Sequence, residues 1–241
     1  MLVVDDSSFM RISLTHILES DKSIDIVGTA TDGEDAIWKV KKLHPDVVLL
    51  DIEMPGMDGL AALAHIMAEC PTPVLMLSGL NKKDAAIAIK SLDHGAVDFI
   101  AKPSGVISFD IDKLSDEIIA KVKIATSVKV HRIVFCLPGE SYQRRRLQPE
   151  RRKSIIVIGA STGGPQAVTR LLSDLPRDIS TAIIVVQHMS PEFVPSFVEQ
   201  LRSRCPLEVS IARRGEAIIS GRALVAPGGC HTTIVQDSNA K

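Results

Sequence analysis

Seven residues in this sequence have types and positions suited to chemistry: Asp5, Asp6, Asp51, Ser78 and Lys102 in the first half, Ser161 and His188 in the second. The first five each end or directly follow a short apolar run, in "VVDDS", "LLDIEMPGMDG", "LMLSG" and "FIAKP". If those runs are strands of one parallel sheet, their ends gather in the crevice at its carboxyl edge. Three carboxylates converging there repel one another unless a cation sits among them. Hard oxygen donors of this kind suit Mg²⁺, which keeps several waters and can bridge to a phosphoryl oxygen. The Lys102 ammonium and the small Ser78 hydroxyl would complete a pocket for a tetrahedral anion. Any one of these aspartates reads equally well as a turn former at a strand end; that reading does not account for five positions together.

The second pair begins with "VIGASTGGP", residues 157–165, where Ser161 stands between glycines after an apolar run and before a helical one. The stretch satisfies G-x-S-x-G in the strand-loop-helix setting that motif requires. Three readings are open at this point: a nucleophile, an anion cradle at a helix N-terminus, or a structural turn. Neither the lysine of a G-x-x-x-x-G-K-[ST] loop nor the spacing of a dinucleotide-binding G-x-G-x-x-G is present. His188 ends the next strand-like run, "TAIIVVQHM", 27 residues after Ser161. If the two runs are parallel neighbours, the imidazole emerges at the same edge and can act as general base to the serine hydroxyl.

The elements that must hold these residues follow from hydrophobic periodicity. Short β-branched runs alternate with amphipathic stretches five times between residues 1 and about 125, as in "DVVLLD" followed by "GLAALAHIMAE". That alternation predicts βαβ units and a parallel sheet buried on both faces. The pattern fails over residues 126–153, where a Pro-Gly turn and the basic run Arg144, Arg145, Arg146, Arg151, Arg152 and Lys153 predict a solvated linker. A second βαβ series opens at Ser154 with "SIIVIGA" and is short for a closed α/β domain, so it is expected to be incomplete.

Composition narrows the function classes. With 241 residues, 45% of them hydrophobic, the chain can bury two ordinary cores. A net charge of -1 supplies no field to draw it onto nucleic acid. No apolar run of membrane-spanning length and no leader-like segment is present, which predicts a cytoplasmic protein without membrane insertion. Cys70, Cys136, Cys205 and Cys230 form no CxxC pair and are expected as buried, reduced thiols.

With these motifs assembled, residues 1 to about 125 resemble the receiver domain of two-component response regulators, which implies a flavodoxin-like fold of five parallel strands. Carried over, the resemblance makes Asp51 the phosphoryl acceptor and Asp6, Asp51 and the Glu53 backbone carbonyl ligands of Mg²⁺, with Asp5 an outer metal partner. Ser78 and Lys102 would contact phosphoryl oxygens, Phe99 would occupy the aromatic switch position, and the Lys102–Pro103 bond would be cis. "IGASTGGPQAV", "VVQHMSPEF" and "LVAPGGCH" resemble the N-terminal part of the methylesterase domain of chemotaxis protein-glutamate methylesterases, a doubly wound parallel α/β domain. That family also carries an N-terminal receiver, so the order of domains agrees: receiver 1–125, linker 126–153, catalytic portion 154–241.

The resemblance implies that Ser161 attacks glutamyl methyl esters on chemoreceptors, giving glutamate and methanol, with His188 as base and an oxyanion donor near Thr162. It further implies deamidation of receptor glutamines, a chemotaxis histidine kinase as phosphodonor, and a receiver that covers the esterase crevice until Asp51 is phosphorylated. The family's triad acid lies in a later "GMGxDG"-like segment that does not occur before Lys241; Asp237, in "VQDSNAK", has surroundings that do not match it. His231, in "PGGCH", has a family counterpart and is expected to play a supporting part. The alternative is a receiver coupled to a non-catalytic α/β domain that binds an anion or a partner.

Overall fold

The computed structural model describes residues 1–102, 111–130 and 154–235, residues 111–114 by backbone alone. The basic run, Cys136, the Lys102–Pro103 bond and Asp237 lie outside the described residues. The chain divides into two compact units.

The first unit is built on β1 (Leu2–Val4), β2 (Gly28–Ala30), β3 (Val48–Asp51), β4 (Val74–Ser78) and β5 (Asp98–Ala101). All pairings are parallel and the order is β2-β1-β3-β4-β5. This is the flavodoxin-like order, with the switch point between β1 and β3. The central strands read as continuous apolar runs because both faces are covered: Leu2, Val3 and Val4, and Val48, Leu49 and Leu50, are all buried. Helices α1 (Ser8–Glu19) and α5 (Ile111–Thr126) close one side, where Val3, Leu49, Leu75 and Leu77 pack with Leu14, Leu18, Ile118 and Val122. The remaining helices are α2 (Gly33–Leu43), α3 (Gly59–Glu69) and α4 (Lys82–Asp93). Each starts from a side chain that sequence rules favour: Asp32, Asp58 and Asn81 accept from the N–H groups of Asp35, Ala61 and Asp84.

The second unit holds β6 (Ser154–Ala160), α6 (Gly164–Ser173), β7 (Thr181–Gln187), α7 (Val194–Arg204), β8 (Glu208–Ile211) and β9 (Arg222–Val225). Its sheet is parallel in the order β6-β7-β9-β8, and α6 and α7 pack against each other. Among the described residues β6 pairs with β7 alone, and Ile155, Ile156 and Val157 are exposed. The cysteine expectation needs correcting. Cys205 is buried, with its thiol pushed up to about 11 by burial, whereas Cys70 is half-buried and Cys230 exposed, and all three are unbridged. Among the described residues no helix is long and apolar enough to cross a membrane.

Candidate functional site

The parallel ladders deliver the first group of residues to one edge. Asp51 is the last residue of β3 and pairs in register with Leu77; Ser78 is the last of β4; the Lys102 N–H extends the ladder by donating to the Ser78 carbonyl at 2.7 Å. Asp5 and Asp6 follow β1 directly, so the acids flank the point where strand order reverses. Carboxylate oxygens of Asp5, Asp6 and Asp51 lie within 4.8 Å of one another. Asp5 and Asp51 are fully buried, and Asp6 is exposed at the mouth.

Lys102 holds both buried acids, with Nζ 2.7 Å from Asp51 Oδ2 and 3.1 Å from Asp5 Oδ2. Even so, burial pushes the Asp51 carboxyl up to about 6, against the pull of Lys102. Burial also works against the Lys102 charge, but its two carboxylate partners outweigh that and leave its pKa raised. Two buried acids facing one ammonium leave a surplus of negative charge. The donor set, carboxylate oxygens alone, fits Mg²⁺ better than a softer metal. The Glu53 N–H donates to Asp51 Oδ1 at 3.3 Å, which turns the β3–α3 loop over the acceptor. The Ser78 hydroxyl is buried and donates to the Gly79 carbonyl at 3.1 Å.

Phe99 sits on β5, separated from the Asp51 strand by β4. Its ring is 3% exposed, and Lys121 Nζ lies 5.6 Å from the ring centroid. The same ammonium donates to the Phe99 carbonyl at 2.7 Å and pairs with Asp98 at 3.2 Å. An inward swing of Phe99 therefore has no exposed starting position in this structure. Sequence reasoning missed Arg11, whose guanidinium donates to the carbonyls of Asp5 (2.7 Å) and Asp6 (3.0 Å) and so braces the acidic loop. An arginine one turn after "DDS" was the available signal.

In the second unit, β6 and β7 are parallel neighbours and Ala160 is in register with Gln187. Ser161 and His188 therefore leave the sheet side by side, with Ser161 Oγ 3.4 Å from His188 Nδ1. Both residues are exposed. The contact is long for a hydrogen bond but typical of a nucleophile–base pair without substrate. The hydroxyl donates only if Nδ1 is bare, which places the imidazole proton on Nε2. Among the described residues no carboxylate forms an ion pair with His188.

Residues 161–164 form a β-turn closed by the Gly164 N–H on the Ser161 carbonyl at 2.7 Å. Gly163 occupies its third position at φ 71°, ψ −5°, the geometry of a type II turn. The left-handed backbone thus falls on Gly163 and not on the serine, unlike a strained nucleophile elbow. The anion-cradle reading loses ground here. The Gly164 N–H is committed to the turn, and Pro165 has none to offer. Thr162 lies half-buried within the turn. The loop after β9 packs on the loop after β7: a Cβ on Gly228 would come within 2.7 Å of Pro191 N and 2.8 Å of the Met189 carbonyl. His231 lies exposed beyond it.

Two family models match the chain: the response regulator receiver domain over residues 1–113 and the CheB methylesterase over residues 156–241. The first sheet, its acidic switch point and these matches define the class as a response regulator whose receiver precedes a second α/β domain. A protein-glutamate methylesterase/protein-glutamine glutaminase of Oceanobacillus iheyensis is 46% identical over 239 residues, covering 97% of this chain and 68% of that protein. Its counterpart in Halalkalibacterium halodurans is 46% identical over 231 residues, with 96% and 66% covered. The solved response regulator domain of Thermotoga maritima CheB is 46% identical, covering 53% of this chain and 96% of that one, with a TM-score of 0.49. The chain belongs to the protein-glutamate methylesterase/protein-glutamine glutaminase family, and it spans about two thirds of the length of these relatives.

Proposed function

We propose that this protein is a phosphorylation-regulated methylesterase of chemoreceptors, with a receiver over residues 1–125, a linker over 126–153 and the catalytic fold from Ser154. The observation that carries the reading is the Ser161–His188 pair at the carboxyl edge of β6 and β7.

His188 Nδ1 accepts the hydroxyl proton as Ser161 Oγ bonds to the ester carbonyl carbon. The carbonyl electron pair moves onto oxygen, where the Thr162 N–H is the proposed donor, a contribution worth about 10²–10³ in rate. Collapse of this adduct expels methoxide, which takes the proton from His188 and leaves as methanol. Water repeats the sequence on the acyl-enzyme and releases glutamate. A glutamine side chain enters the same steps with ammonia as leaving group, which accounts for deamidation. Orientation of the imidazole by a carboxylate matters strongly in such pairs, by about 10⁴ in kcat.

In the receiver, Asp51 is the proposed phosphoryl acceptor from a histidine kinase. Asp6, Asp51 and the Glu53 carbonyl would hold Mg²⁺, with Asp5 as its outer partner. The ion supplies charge neutralisation to a transferring phosphoryl group. Lys102 and Ser78 would bind phosphoryl oxygens, and Phe99 would report the change through β5.

The test is methanol release from methylated receptor by the complete gene product, with and without Mg²⁺ and acetyl phosphate, beside Ser161→Ala and His188→Gln. Release that rises with the phosphodonor and is lost in both variants is expected. Release that survives in Ser161→Ala would refute the nucleophile, and stoichiometric receptor binding without release would favour a binding module.

A further inference from the structure

Gln187 ends β7 immediately before His188 and is 8% exposed, although it is polar and closes an apolar run. Its side-chain nitrogen lies 2.9 Å from the Ser161 carbonyl and 3.2 Å from the His188 carbonyl. Two carbonyl oxygens at one terminus fix the amide orientation, because only the NH₂ group can donate to both. The Ser161 carbonyl also accepts from the Gly164 N–H, so both of its lone pairs are engaged. His188 is held at its other end, its N–H donating to the Ala160 carbonyl at 2.8 Å.

The opposite end of the amide is confined as well. Gln187 Oε1 is buried without a hydrogen-bond partner among the described residues. It lies where a Cβ on Gly164 would come within 2.2 Å of it. The side chain is therefore wedged between the start of α6 and the two loops that carry Ser161 and His188. A buried acceptor left unmatched costs stability, so this arrangement is not one that folding alone favours.

We infer that Gln187 is a positioning residue whose single NH₂ group sets the separation of Ser161 Oγ and His188 Nδ1. A neutral fork of two donors is needed. A glutamate would turn acceptors toward both carbonyls, a methionine would offer nothing, and an asparagine would withdraw the donors by one methylene. The inference rests on the esterase reading, since it assigns a role toward that pair.

The experiment compares the wild type with Gln187→Met in the complete gene product. Reactive sites are counted by stoichiometric phosphonylation of Ser161 with a fluorophosphonate, and kcat and KM for methanol release are then expressed per reactive site. A displacement of the pair by a fraction of an ångström predicts a fall in per-site kcat of roughly 10–100-fold. KM and the thermal midpoint should change little. A purely structural role would reduce the number of reactive sites and leave per-site kcat unchanged, and that result overturns the inference while the esterase reading stands. Wild-type protein that neither reacts at Ser161 nor releases methanol overturns both. If Gln187→Met does not fold, Gln187→Asn is compared in the same way, with the same two outcomes.

Discussion

Asp51, the proposed phosphoryl acceptor, is held at a cost in stability. Its carboxyl, fully buried beside Asp5, is raised from 3.8 to about 6 because burial outweighs its bond to Lys102. Between those two values the folded chain binds more protons than the unfolded one. Stability therefore falls as pH rises through that window and stays lower above it. Asparagine is neutral throughout, so Asp51→Asn is expected to raise the thermal midpoint of the receiver at pH 7.5 in the absence of divalent cations. The gain should shrink toward pH 4, as read by calorimetry at several pH values. Mg²⁺ should stabilise the wild type more than the variant, because the cation offsets a charge that only the wild type carries. A variant no more stable than the wild type at pH 7.5 would mean that Lys102 already neutralises the pocket.

Two inter-element contacts decide how this chemistry is held. Gly59, the first residue of α3, meets β3 so closely that an added Cβ would lie 1.9 Å from the Asp51 carbonyl oxygen. Backbone cannot yield as a side-chain tip does. Gly59→Ala is thus expected to destabilise the receiver by about 1–3 kcal/mol and to slow acetyl phosphate labelling of Asp51, measured by urea unfolding and by incorporation of phosphoryl label. On the other side of the sheet, Lys121 ties α5 to β5 through Asp98 and the Phe99 carbonyl. Removing one member of a buried pair leaves the other charge unmatched, so Lys121→Met should cost about 3–5 kcal/mol. Lys121→Met with Asp98→Asn should recover part of that loss. Equal stability of the single and double variants would show that the carbonyl bond, and not the ion pair, anchors the strand.

At the scale of the whole molecule, phosphorylation must change an activity housed in another unit. Asp51→Asn is expected to give a protein whose methanol release is the same with and without acetyl phosphate, while the unstimulated rate is retained. Stimulation that persists in the variant would place the phosphoryl acceptor elsewhere. Much of this organisation was legible in the sequence. The alternation of apolar runs and amphipathic stretches determined two parallel α/β units, because a strand buried on both faces must be apolar throughout and each crossover helix must show one apolar stripe. The aspartates, Ser78, Lys102, Ser161 and His188 were visible because each ends an apolar run, and parallel pairing sends such ends to one edge. Strand order lay beyond that reading: neighbours in a sheet are chosen by packing across the whole unit, so only the tertiary structure put β9 between β7 and β8. The same holds for Arg11 and Gln187, whose partners are backbone carbonyls, and for the bond that Lys121 makes to the Phe99 carbonyl. A carbonyl carries no residue identity, so a side chain that serves one leaves no pattern in the sequence, and its role exists only once the chain has folded around it.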